Sequence, residues 1–144
     1  MMNRSLLVVA VGLALLAGAC SSSGSDDIVV DDPWGRSSPM VANGAFYMTI
    51  EGGSVDDRLV SAYASVCGAT ELHQTTMSDG VMSMQQADGG IEIPAGGEAV
   101  LEPGGYHVMC IGKDTEFEVG DVIPVTLTFE TGEMQTVDAE IREG

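Results

Sequence analysis

The chain is poor in basic residues. Five Lys and Arg stand against 22 Asp and Glu, a formal charge of −17 over 144 residues. Nucleic acid and anionic membrane surfaces are bound through basic patches, so this balance argues against both as partners. The acid is spread along the chain. It reads as a solvated, self-repelling surface that could meet a cation or a basic partner. Histidine is scarcer still, with only His73 and His107. Neither has an obvious nucleophile set against it, "YASVCGA" lacks nucleophile-elbow spacing, and no Gly-rich phosphate loop occurs, so the chain does not read as an enzyme. No long segment carries helical periodicity, which excludes a helical bundle. The one long apolar run, Leu6 to Ala17, is too short to span a bilayer.

That run follows Arg4 and precedes the polar stretch "SSSGSDD", the layout of an export signal outside the fold. Its end supports two processing sites. Ala17-Gly18-Ala19 fits ordinary signal peptidase, and "LLAGAC" resembles a bacterial lipobox ending at Cys20, although Ala17 stands where an aliphatic residue is usual. Cysteine, another rarity, favours the lipobox. Of the three, lipidation of Cys20 leaves Cys67 and Cys110, an even pair suited to an oxidising compartment. Residues 1–19 are therefore expected to be a lipoprotein signal peptide, 20–27 a flexible tether, and 28–144 one folded domain. Membrane attachment would be by the lipid anchor only. Loss of Arg4 takes the charge from −17 to −18.

What the rest of the chain has is short alternating apolar runs, cut by "EGGSVDD", "SDG", "ADGG", "PAGG", "EPGG" and "EVGD". Strands are expected near Ile28–Val30, Ala45–Ile50, Arg58–Val66, Ala69–Thr75, Val81–Gln86, Ala99–Leu101, Tyr106–Ile111, Val122–Phe129 and Gln135–Ile141. This spacing predicts an all-β antiparallel sandwich or Greek-key barrel. The clearest hairpin is "VTLTFETGEMQTVDAEI", turning at Thr131-Gly132.

Methionine is abundant. Beyond the leader it occupies 40, 48, 77, 82, 84, 109 and 134, and four of these lie in the segment that holds both histidines. Thioether sulfur is soft and neutral. It suits Cu(I) and has little affinity for Zn²⁺, Mg²⁺ or Ca²⁺, while imidazole suits copper as well. His107 and Met109, two apart on a strand, project to one face. His73 and Met84 flank the turn "SDG", so a hairpin would bring them near each other. Two His and two Met make a Cu(I) shell without a thiolate that would oxidise outside the cell. Methionine is also a common core filler, so each one alone carries little weight. Met77 and Met82 flank the same turn, and Met82 shares the parity of Met84. Either could be an auxiliary or handover ligand, or could simply pack.

The stretch "ELHQTTMSDGVMSMQQ…GIEIPAGGEAVLEPGGYHVMCIG", continuing through "EVGDVIPVTLTFETG", resembles the periplasmic copper chaperones of the PCuAC type. Upstream, "DDPWGRSS", "NGAFYMTI" and "DDRLVSAYAS" are similar to that family's N-terminal part, so the resemblance runs from about residue 28 to 141. The family's copper motif is His, ten residues, Met, about twenty-one residues, then His-x-Met. Here ten residues separate His73 from Met84 and twenty-two separate Met84 from His107, the excess falling at "ADGG", where an insertion costs little. The resemblance implies a cupredoxin-like β-barrel with His73, Met84, His107 and Met109 as Cu(I) ligands. It also implies delivery of copper to a cytochrome oxidase centre, often alongside a Sco-type thiol protein.

Cys110 follows Met109 directly, so a regular strand turns it to the opposite face, towards the interior. A disulfide to Cys67 is expected there, and closing that span would stabilise by about 4 kcal/mol in the loop-entropy model. A thiol pair that binds copper or relays electrons is the alternative. Two other functions compete with the chaperone. A blue-copper electron-transfer protein needs a thiolate beside two His and a Met, and "HVMC" has the order and the face wrong for it. A metal-free β-sandwich interaction lipoprotein would keep His73 and His107 apart.

Overall fold

The computed structural model describes residues 26–38 and 41–144. The leader, Cys20 and Met40 lie outside the described residues. Ten strands follow in order: β1 Val29–Arg36, β2 Gly44–Glu51, β3 Asp57–Tyr63, β4 Cys67–Ser78, β5 Val81–Gln86, β6 Ile91–Ile93, β7 Glu98–Leu101, β8 Tyr106–Lys113, β9 Val122–Phe129 and β10 Met134–Arg142. No helix occurs among the described residues.

The strands hydrogen-bond as one sheet in the order β5-β4-β8-β7-β2-β1-β10-β9-β3-β6, with β8 also pairing β2. The sheet folds over on itself, so that β3 packs against β4 although they are far apart in that order. Between the layers lie Phe46, Ile50, Leu59, Ile91, Ile93, Val108, Phe117, Val125, Leu127, Phe129 and Ile141, all essentially without solvent exposure. The β9–β10 hairpin shows why the chain folds this way. Ile123, Val125, Leu127 and Phe129 alternate inward on β9, and Ala139 and Ile141 do so on β10. Gly132, at φ 94°, supplies the left-handed turn residue between them.

Three features depart from the alternation read in sequence. β1 continues through "DDPWGR", well past the expected strand of Ile28–Val30. The strand passes its proline by an irregularity between Asp31 and Trp34, with Asp32 at φ 46°. The Arg142 guanidinium donates to both Asp32 carboxylate oxygens, at 2.7 and 3.1 Å. β6 is only three residues long, too short for a pattern to be seen, yet Ile91 and Ile93 are buried where it pairs β3. Two pairings are parallel: β1 with β10, where the sheet joins its first and last strands, and β7 with β8, which meet at one residue pair, Leu101 and Tyr106.

Candidate metal centre

β8 alternates between two environments. Val108 and Cys110 face the core with no exposure, and His107 and Met109 take the other face. The neighbouring registers place the remaining candidates. His73 lies opposite His107 and Glu71 opposite Met109 across β4 and β8. Thr75 lies opposite Met84, and Met77 opposite Met82, across β4 and β5. Cross-strand partners share a face. His73, Met84, His107 and Met109 therefore project from one side of a three-stranded patch, together with Glu71, Met77 and Met82.

A hollow of about 340 Å³ opens on this face. Met82, Met84, His107 and Met109 line it, with Tyr47 and Arg36 on one wall and the Pro103-Gly104 turn on another. His73 does not line the hollow, but its ring centroid is 5.8 Å from that of His107. Met84 is on β5 and His107 on β8, with β4 between, so roughly 10 Å of strand spacing separates their backbones. The long, unbranched Met84 side chain suits that gap. Met77 falls outside the hollow, nearer the hairpin tip.

Both imidazoles are held in a defined orientation. The Gly105 carbonyl accepts the Thr75 N–H at 2.9 Å and His107 Nδ1–H at 3.2 Å. A carbonyl can only accept, so His107 carries its proton on Nδ1 and presents the Nε2 lone pair. Burial pushes the His107 pKa below its ordinary 6.5, and the neighbouring His73 adds to this, while the bond to Gly105 opposes it. The ring is thus kept neutral, the form that binds metal. His73 Nε2 lies 2.8 Å from Glu71 Oε2. With the proton there, Nδ1 is the free lone pair. That atom is buried and has no hydrogen-bond partner among the described residues. Buried polar atoms are seldom left unpaired, so this one fits a site whose ligand is the missing partner. The carboxylate–imidazole pair is a common arrangement behind metal-binding histidines.

Among the described residues no three His, Cys, Asp or Glu side chains are grouped to hold a metal ion. A metal on this face would complete its shell with thioethers, which suits a soft ion. The cysteines are committed elsewhere. Cys67 and Cys110 form a disulfide, with Cα atoms 5.4 Å apart. It ties β4 to β8 on the core side, opposite the histidines. Bonded in this way, the pair presents no thiolate to a metal on the histidine face. The metal-free reading required His73 and His107 to be apart, and they are direct cross-strand partners.

Sequence reasoning gave no role to Glu71, Tyr47 or the Gly105 carbonyl. Glu71 had a signal, since it stands two residues before His73 and so on its face. The ring of Tyr47, 6.2 Å from that of His107, comes from β2 and could be placed only by the fold.

Known proteins share this architecture. The fold is that of PCuAC domains: the solved "Copper-bound PCuAC domain from PmoF2" superposes with a TM-score of 0.68 at 22% identity, over 84% of this chain and 96% of that one. The solution structure of Cu(I)-DR1885 from Deinococcus radiodurans superposes with a TM-score of 0.65 at 27% identity, over 89% of this chain and 84% of that one. Residues 28–141 match the family described as "Putative lipoprotein LpqE-like", and the chain belongs to that family. "Putative lipoprotein Lxx21020" of Leifsonia xyli subsp. xyli (strain CTCB07) is 32% identical over 119 residues, 83% of this chain and 72% of the relative.

Proposed function

We propose that this protein is an extracytoplasmic copper chaperone, not an enzyme. It binds Cu(I) through His73 Nδ1, His107 Nε2 and the thioethers of Met84 and Met109, and passes the ion to a protein acceptor such as a respiratory oxidase subunit or a Sco-type protein. The observation that carries the reading is the direct pairing of His73 with His107 on the sheet face where Met84 and Met109 border one hollow. The unpaired Nδ1 of His73 supports it. So does the fold shared with a protein solved in its Cu(I) form. Neutral ligands give Cu(I) a shell that binds without the reactivity of a thiolate, which suits a carrier outside the cell. Export and anchoring at Cys20 rest on the leader sequence and on the lipoprotein description of the family.

Delivery is tested in a strain lacking the gene, grown at limiting copper. Oxidase activity falls there and is restored by the wild-type chain but not by Met84→Leu. Undiminished oxidase activity in the strain lacking the gene would contradict delivery to that acceptor.

A further inference from the structure

The β4–β5 hairpin carries more methionine than the proposed site uses, and packing does not explain it. Met77 is 69% exposed and Met82 60%, whereas Met48 in the core is 2% exposed. The exposed Met134 differs, because Thr128 stands opposite it. Met77 and Met82 are cross-strand partners. The two-residue turn at Asp79 and Gly80, with φ 52° and 77°, fixes their pairing type. Counting from that turn, Ser78 and Val81 form the hydrogen-bonded pair, so Met77 and Met82 form the closer, non-hydrogen-bonded one. On the reverse face Thr76 Oγ1 and Ser83 Oγ lie 3.1 Å apart, bridging the same strands. Two soft sulfur side chains are thus held side by side at the surface. The row continues inward, since Met82 and Met84 both line the hollow that His107 and Met109 border.

The geometry points to a second thioether station, formed by Met77 and Met82, through which Cu(I) enters and leaves the inner site with Met84 next in line. This rests on the inner site proposed above. Transfer is ligand exchange alone. Copper stays Cu(I), a sulfur lone pair replaces an imidazole or another sulfur, and each released ligand leaves neutral with its lone pair. No electron or proton is needed. Thioethers are selective for Cu(I) and individually weak, so the outer station captures and releases the ion readily while the histidines retain it.

The test follows the methionine methyl groups by NMR, with 13C-methyl methionine in the folded protein, as Cu(I) is added without oxygen. Met84 and Met109 signals are expected to move with the first equivalent, and Met77 and Met82 with the second. The Met77→Leu/Met82→Leu double variant should bind the first equivalent as tightly as wild type, lose the second, and surrender Cu(I) to bicinchoninate more slowly. Met77 and Met82 signals unmoved through two equivalents would overturn the station. So would movement of all four with the first equivalent, which would make them one site. If Met109 never moves, the inner site itself fails, and a station feeding it fails with it.

Discussion

At the scale of single residues, the candidate centre depends on what holds each imidazole. Glu71 accepts from His73 at 2.8 Å, so its removal frees the ring to leave the orientation it holds beside His107. Glu71→Ala is expected to weaken Cu(I) binding about 10- to 100-fold, the usual effect of losing a partner behind a ligand, while the fold persists. A competition titration against a chromophoric Cu(I) chelator measures it. An unchanged affinity would remove Glu71 from the account. His107 gives a pH prediction. Its folded pKa lies below the ordinary 6.5 because of burial, so between the two values the unfolded chain binds the proton more readily. The contribution of the neutral ring is therefore complete above 6.5 and is lost as pH falls through the folded value. Ring-proton NMR of the copper-free protein should show His107 titrating below 6.5. Titration at or above it would mean that the ring is more solvated than its 4% exposure indicates. The four proposed ligands were legible in the sequence because histidine is scarce and methionine gathers around both of its positions at telling spacings. Glu71 was hidden among 22 acidic residues that look alike without a fold.

At the scale of elements, β4 and β8 form the frame of the site. Their register alone sets His73 against His107, and the disulfide locks it from the core side. Removing the covalent tie by Cys67→Ala with Cys110→Val should cost about 4 kcal/mol in chemical denaturation. A midpoint equal to wild type would mean that the bond adds no constraint. Alternation placed most strands, since a half-buried strand writes its burial into every second residue. It failed at β1, which runs beyond the expected end at Val30 and past its proline by an irregularity, and at β6, where three residues carry no period. It also stopped β4 at Thr75, whereas the strand continues to Ser78 and so brings Met77 into the methionine row. Exposed strand ends lack the apolar rhythm that marks them, and only their partner strand reveals them.

At the scale of the whole molecule, a folded-over sheet keeps its apolar core between the layers and leaves the outer face of β5-β4-β8 free for chemistry. Topology made this possible, and sequence alone could not show it. β2 and β8 are distant in sequence yet paired, and Tyr47 on one closes over His107 on the other. The acidic exterior, at −17, adds a field that attracts cations and basic partners without defining a site. The central claim is that two imidazoles and two thioethers on this face hold Cu(I). Copper K-edge absorption on the Cu(I)-loaded soluble domain, lacking the leader and Cys20, tests it most directly when wild type is compared with Met109→Ala. The account predicts a mixed nitrogen and sulfur shell that loses a sulfur in the variant. A domain that retains no copper, or a shell identical in the two proteins, would contradict it.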